Sequence, residues 1–243
     1  MNWKTNLLAN YTALRARLQL ACESANRDLQ DVLIIWVSKT NSIEAVEAAT
    51  EVGLDSGLTR VDFGENKIQE CVQKFSEPHP DRQLHIIGPI QSNKLRKAIV
   101  LGDWIHTVSS AKQLFQLERI AQEENRQVKI LFQVNTSGEK SKSGFLPSDI
   151  VDFLDSLPKT HNLLYSGLMT IGVNSGVPED SRAGFTLLRT WRDQFVNKDE
   201  RFTHFKQLSM GMTADLEVAI DEGATMIRVG TALFGQRNYG ESQ

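Results

Sequence analysis

A lysine stands where a run of apolar residues stops. Val32-Leu33-Ile34-Ile35-Trp36-Val37 leads into Ser38-Lys39-Thr40. An unbroken run of that length reads as a strand covered on both faces. At the carboxyl end of such a strand an ammonium is partly desolvated, which favours the neutral, nucleophilic amine. That is the chemistry of a Schiff-base lysine. The plainer alternative is that Lys39 opens a polar loop, since strands usually stop at polar residues.

Towards the other end of the chain, Ser209-Met210-Gly211-Met212 and Gly230-Thr231-Ala232 combine hydroxyls with glycines. Glycine lets backbone N–H groups approach an anion. Both stretches are expected at helix N-termini, where the dipole favours negative charge. Ordinary capping by Ser209 and Thr231 is the alternative. Arg228 lies inside an apolar strand signal, on the same face as Gly230 by strand alternation. Buried there, it needs a partner. That partner is either an acceptor on a ligand, such as a ring nitrogen, or a structural ion pair with Asp215, Glu217 or Glu65. An amine, an anion cradle and a cation match the aldehyde, phosphate and pyridine nitrogen of pyridoxal phosphate. An arginine at that nitrogen keeps it unprotonated and weakens the ring as an electron sink.

The elements that must position these groups alternate along the chain. An amphipathic helix is expected over 6–26, with Leu7, Leu8, Tyr11, Leu14, Leu18 and Ala21 at helical spacing. Strand signals follow at 32–37, 61–66, 84–88, 104–108, 128–134, 163–169, 206–209 and 226–230. Helices are expected between them: from Ile43 to a stop at Gly53, then 68–75 on a face of Ile68, Val72 and Phe75, then 93–100 and 111–124. Further helices are expected at 147–157 with Pro147 in the first turn, at 181–196, at 213–222 and from Thr231. Strict alternation implies a parallel sheet, and eight units in this length imply a closed (β/α)8 TIM barrel of the α/β class, one domain over 1–243. Chemistry then belongs on the loops after the strand carboxyl ends, with phosphate favoured after strands seven and eight.

Composition narrows the function classes. There are 27 Lys and Arg against 30 Asp and Glu, whereas a general nucleic-acid binder carries a basic surplus. Two cysteines, Cys22 and Cys71, fit a reduced cytosolic setting. The histidines (79, 85, 106, 161 and 204) lack metal-ligand spacing. No signal-peptide core opens the chain and no apolar run reaches membrane-spanning length. A cytoplasmic protein with no metal, nucleic-acid or membrane partner is the expectation. Lys142 reads either as a gate or transient second acceptor for the cofactor or as a solvated loop charge. Asn93, Lys94, Arg96 and Lys97 read as an exposed basic helix face.

Taken in order, Val37-Ser38-Lys39-Thr40, Phe63-Gly64-Glu65-Asn66, the stretch from His85 to Lys94, Ser141-Lys142-Ser143-Gly144, Gly167-Leu168-Met169-Thr170-Ile171, Leu208-Ser209-Met210-Gly211-Met212 and the stretch from Arg228 to Gly235 resemble the YggS/PROSC family of pyridoxal phosphate homeostasis proteins. The resemblance covers nearly the whole chain. It implies a barrel like the alanine racemase N-terminal domain, fold type III among pyridoxal phosphate proteins. It implies the cofactor as a Schiff base on Lys39. It places the phosphate on Ser209, Gly230 and Thr231, with Gly211 in the same cradle, and Arg228 near the ring nitrogen. Asn66 and Met169 line the pocket. No catalytic residue is implied. The implied role is a carrier and buffer of pyridoxal phosphate in vitamin B6 and amino-acid homeostasis, monomeric, with apo-enzymes as recipients.

Three departures stand out: a longer loop over 54–61 with a bearing on access to Lys39, Trp36 in place of a small residue, and Thr213 in place of serine. The alternative is a pyridoxal phosphate-dependent amino-acid racemase of low activity. Two-base racemisation needs an acid/base on each face of the ring, and the chain ends too soon after the eighth unit for the domain expected to supply the second.

Overall fold

The computed structural model describes residues 3–139 and 142–235. Ser141 of the quoted motifs lies outside them. Among the described residues eight strands run β1 (Leu33–Val37), β2 (Val61–Glu65), β3 (Arg82–Ile86), β4 (Trp104–Val108), β5 (Val128–Gln133), β6 (Leu163–Met169), β7 (Gln207–Met212) and β8 (Met226–Val229). The helices are α1 (Trp3–Ser24), α2 (Ile43–Asp55), α3 (Ile68–Phe75), α4 (Leu95–Leu101), α5 (Ala111–Glu123), α6 (Ile150–Asp155), α7 (Arg182–Phe195), α8 (Leu216–Asp221) and α9 (Thr231–Phe234). The strands close in chain order into a parallel barrel, β8 pairing back onto β1. This is the expected (β/α)8 barrel.

Strand alternation sorts side chains into two layers. Trp36, Phe63, Ile86, Ile105, Phe132, Leu168, Leu208 and Val229 pack outwards among the helices. Ile35, Trp104, Leu131, Met169 and Met226 fill the barrel interior. Outside, α1 buries Leu7, Tyr11, Leu14, Leu18, Ala21 and Cys22 against the flank formed with α2, α8 and α9. The Trp36 ring meets Tyr11 of α1 with centroids 4.8 Å apart.

Alternation is broken at three places, and each break re-aims a side chain. Between β5 and β6, Ile130 pairs with Tyr165 but Leu131 with Gly167, so Ser166 is an extra residue. Tyr165 and Leu168 therefore both face outwards, and Met169 turns into the barrel. Similar shifts occur at Ile105/Val108 of β4 and Ser209/Met212 of β7.

Several expected boundaries move. The second helix runs past Gly53 to Asp55 and is closed at Gly57, whose φ of 89° suits glycine. Its closing bonds run from Gly57 N–H to Leu54 O and from Leu58 N–H to Gly53 O. Leu54 and Asp55 therefore belong to α2, and the rest of the long loop sits at the amino end of β2. In a parallel barrel that is the mouth opposite Lys39, so the loop does not govern access to it. In α3 the buried face is Ile68, Cys71 and Lys74, and Val72 is exposed. Pro147 precedes α6 instead of opening it. β7 extends to Met212 and α8 starts only at Leu216, so Ser209-Met210-Gly211-Met212 is strand and not a helix N-terminus.

Gly167 has a φ of 144°, and a Cβ there would sit 1.9 Å from Gln207 O. Gly167→Ala should cost about 3 kcal/mol or more, read as a fall in the urea midpoint; an unchanged midpoint would remove the bulge from this account.

Candidate functional site

Lys39 follows β1 at its carboxyl end and is half-buried. Its backbone is pinned on both sides by α3. The Lys74 ammonium donates to Ser38 O at 2.9 Å, and the Thr40 N–H donates to Glu70 Oε2 at 2.6 Å. Lys74 and Glu70 are themselves paired at 3.0 Å, one helical turn apart. Thr40 is held at a φ of 66°, a left-handed conformation that costs a β-branched residue energy. The clamp rests on Glu65 at the end of β2, whose Oε1 accepts from Lys74 at 2.8 Å and from Ser38 Oγ at 2.7 Å. Burial pushes the Glu65 carboxyl up, and the Lys74 and Ser38 bonds oppose that.

Arg228 of β8 is buried in the barrel. Its Nη1 donates to Ser209 Oγ at 2.7 Å and its Nη2 to Thr170 O at 2.8 Å. None of the ion pairs among the described residues involves it. Each carboxylate expected as its structural partner is engaged elsewhere. Glu65 binds Lys74, and Glu217 binds Arg17 at 2.5 Å. Asp215 accepts from the Met212 N–H at 2.6 Å and from Ser181 Oγ at 3.3 Å. Burial lowers the guanidinium to about 10, with the Asp215 charge opposing; it stays cationic at neutral pH. A buried cation hydrogen-bonded, among the described residues, to neutral acceptors suits a site that receives an electron-rich ligand.

Ser209 is fully buried, and its hydroxyl lies between Arg228 and His106 Nδ1 at 2.9 Å. It is thus engaged inside the barrel. The hydroxyls that meet at the mouth are those of Thr213 and Thr231, 3.4 Å apart. Thr231 opens α9 after Gly230, and Gly230 lies against β1: a Cβ on it would be 3.3 Å from Val37 O. The carboxyl ends of β1 and β8 therefore stand side by side, bringing Lys39 and Thr231 to one mouth. From α1, Arg17 donates to Thr213 O at 2.9 Å and Asn10 to Leu233 O at 2.8 Å, tying both loops to the flank. Gly211 has a φ of 89°, and a Cβ on it would be 2.4 Å from Ala219 Cβ of α8.

Asn66 closes β2 so tightly that a Cβ on Gly88 would lie 2.2 Å from Asn66 O. Met169 points into the barrel through the Ser166 bulge. Lys142 is bonded to Glu139 Oε1 at 2.5 Å and Gly172 O at 2.9 Å, which ties the loop after β5 to the loop after β6.

Sequence reasoning missed Lys74, Glu70, His85 and His106 as parts of the site. A lysine at i+6 from Ile68 and i+3 from Cys71 falls on the buried stripe of α3, and that spacing was the available signal for Lys74. The histidines occupy inward positions of otherwise apolar strands, which marks them as buried polar groups even without metal spacing.

Comparison with known proteins places this site in context. Residues 9–238 match the family model described as alanine racemase, N-terminal domain. A pyridoxal phosphate homeostasis protein of Vibrio cholerae is 37% identical over 235 residues, covering 95% of this chain and 96% of that one. The crystal structure of an unknown protein from Bifidobacterium adolescentis superposes with a TM-score of 0.85 at 31% identity, covering 96% of each chain. The structure of PipY from Synechococcus elongatus with PLP bound superposes with a TM-score of 0.78 at 33% identity, covering 94% of this chain and all of PipY.

Lys74→Met would leave Glu65 as an uncompensated buried carboxylate. The expected loss is about 3 to 5 kcal/mol in urea unfolding at pH 8. A carboxyl whose folded pKa is raised favours folding below its unfolded value and loses that contribution as pH rises. The penalty should therefore shrink at pH 5. A penalty equal at both pH values would show that Glu65 is not the group left behind.

Proposed function

The chain belongs to the pyridoxal phosphate homeostasis protein family, and we propose that it binds pyridoxal phosphate through a Schiff base on Lys39 and carries and buffers it. The observation that carries this reading is the placement of Arg228. Among the described residues it is a buried cation hydrogen-bonded to neutral acceptors, between β1, whose end bears Lys39, and β7, whose following loop bears Thr213. When bound, pyridoxal phosphate supplies an aldehyde that condenses reversibly with a primary amine. Lys39 is that amine in this reading, its backbone fixed by Lys74 and Glu70. The phosphate is held by Thr231, Thr213 and the backbone at Gly230, with Gly211 shaping the turn beside them. Arg228 faces the ring nitrogen, and Asn66 and Met169 line the pocket. Ser209, expected on the phosphate, serves instead by holding Arg228.

An arginine at the ring nitrogen keeps that nitrogen unprotonated, which weakens the ring as an electron sink. The relatives' names support a carrier over a racemase. Recipients in this reading are cytoplasmic apo-enzymes that use the same cofactor.

Mixing the protein with pyridoxal phosphate should produce a near-ultraviolet or visible absorbance band. Borohydride should then fix one phosphopyridoxyl group, mapped to Lys39 by peptide mass spectrometry, and Lys39→Ala should lose both signals. A label on another lysine, or none, would overturn the assignment.

A further inference from the structure

The barrel interior holds a continuous line of polar side chains that the binding of a cofactor does not by itself require. Asp62 Oδ1 of β2 lies 2.9 Å from His85 Nε2 of β3. His85 Nδ1 lies 2.9 Å from His106 Nε2 of β4. His106 Nδ1 lies 2.9 Å from Ser209 Oγ of β7, which accepts from Arg228 at 2.7 Å. All five side chains are buried. The line crosses the barrel, and its far end reaches Arg60, whose Nε lies 3.7 Å from Asp62 Oδ2.

With both imidazoles neutral, one proton arrangement gives every bond a donor and an acceptor. A carboxylate only accepts, so His85 Nε2–H donates to Asp62 and His85 Nδ1 must accept. His106 Nε2–H then donates to His85, and His106 Nδ1 accepts the Ser209 O–H. Ser209 is left to accept from Arg228. Every hydrogen bond therefore donates in one direction, from guanidinium towards carboxylate. Burial, with His85 and Arg228 nearby, keeps His106 well below its ordinary value, which agrees with a neutral ring. Arg60 and Asp62 are the charged groups at one end of the line, and Arg228, with the Asp215 charge near it, stands at the other.

We propose that Asp62, His85, His106 and Ser209 form a positioning relay that orients Arg228 and holds it as a hydrogen-bond donor towards the ring nitrogen of the bound cofactor. This rests on the reading of the site given above. In the relay Asp62 anchors the accepting end of the line from across the barrel. No carboxylate then needs to stand beside the guanidinium, where it would compete for the donors the ligand takes. The commitment of the Ser209 hydroxyl to His106 is what removes it from the phosphate.

Two measurements test this. In the protein without cofactor, histidine labelled with nitrogen-15 should show His85 and His106 as neutral Nε2–H tautomers at about pH 6 to 8, assigned through His85→Gln and His106→Gln. A proton on His106 Nδ1, or a cationic imidazole in the pair, would reverse the line and overturn the relay. In the loaded protein, pyridoxal phosphate labelled with nitrogen-15 in the ring reports the ring nitrogen directly. His106→Phe should move that resonance and weaken binding about tenfold, the scale of one lost buried hydrogen bond. Asp62→Asn keeps an acceptor for His85 and removes only the charge, so it should move the resonance in the same direction by less. It decides the matter if His106→Phe does not fold. Folded variants with the wild-type resonance and affinity would overturn the relay alone. Failure of the wild-type protein to take up the cofactor would overturn the reading of the site as well.

Discussion

A guanidinium inside a barrel has to be solvated by the protein itself. Little of its surface is open to solvent, and an unpaired buried charge is too costly to persist. Around Arg228 the chain meets this constraint without an ion pair among the described residues, through one hydroxyl and one backbone carbonyl. The hydroxyl is backed by His106, then His85, then Asp62. Low dielectric strengthens such a line when every member is satisfied and makes a single gap expensive. The strands that supply it, β2, β3, β4, β7 and β8, are thereby required to keep their inward faces in register. The barrel and the site are one constraint seen at two scales.

Much of this was legible in the sequence. Eight strands, their order and the residues at their carboxyl ends follow from apolar runs alternating with amphipathic helices. Lys39, Asn66, Gly230 and Thr231 then fall at strand ends, where chemistry is expected. What pattern reading cannot supply is the parity of a bulged strand. Period-2 alternation through β6 puts Tyr165, Gly167 and Met169 on one face. The extra residue at Ser166 sends Leu168 outwards and Met169 inwards. A glycine inside a strand signal was the available hint. In β7 the same effect, with Gly211 at positive φ, carried the strand three residues past its expected end.

The second gap concerns Lys74. A lysine within an amphipathic helix is ordinarily assigned to the solvated face. Here its stem follows the buried stripe of α3, and its ammonium reaches the end of β1, where Glu65, Glu70 and Ser38 O receive it. Helical spacing puts the stem on that stripe and Glu70 beside it, but does not encode the other two acceptors, which come from strand ends 36 and nine residues away. The partners of Arg228 were missed for the same reason. Candidate carboxylates were chosen for their charge, whereas the fold answered with neutral acceptors and placed the carboxylate across the barrel.

The departures from the family pattern can now be weighed by where they fall. Trp36 stands three positions before Lys39, yet strand parity turns its ring outwards onto Tyr11, so its bulk is absorbed by α1 packing and not by the pocket. The Thr213 hydroxyl meets Thr231 at the mouth while its methyl restricts the rotamer. The long loop over 54–61 lies partly in α2 and otherwise at the opposite mouth. These positions thus sit outside the barrel wall, at its far end, or at a mouth position that carries a hydroxyl. A barrel separates these regions by geometry: strand direction divides the two mouths and strand parity divides inside from outside. A change packed against the outer helices or at the amino-end mouth therefore need not disturb the side chains that meet at the carboxyl-end mouth.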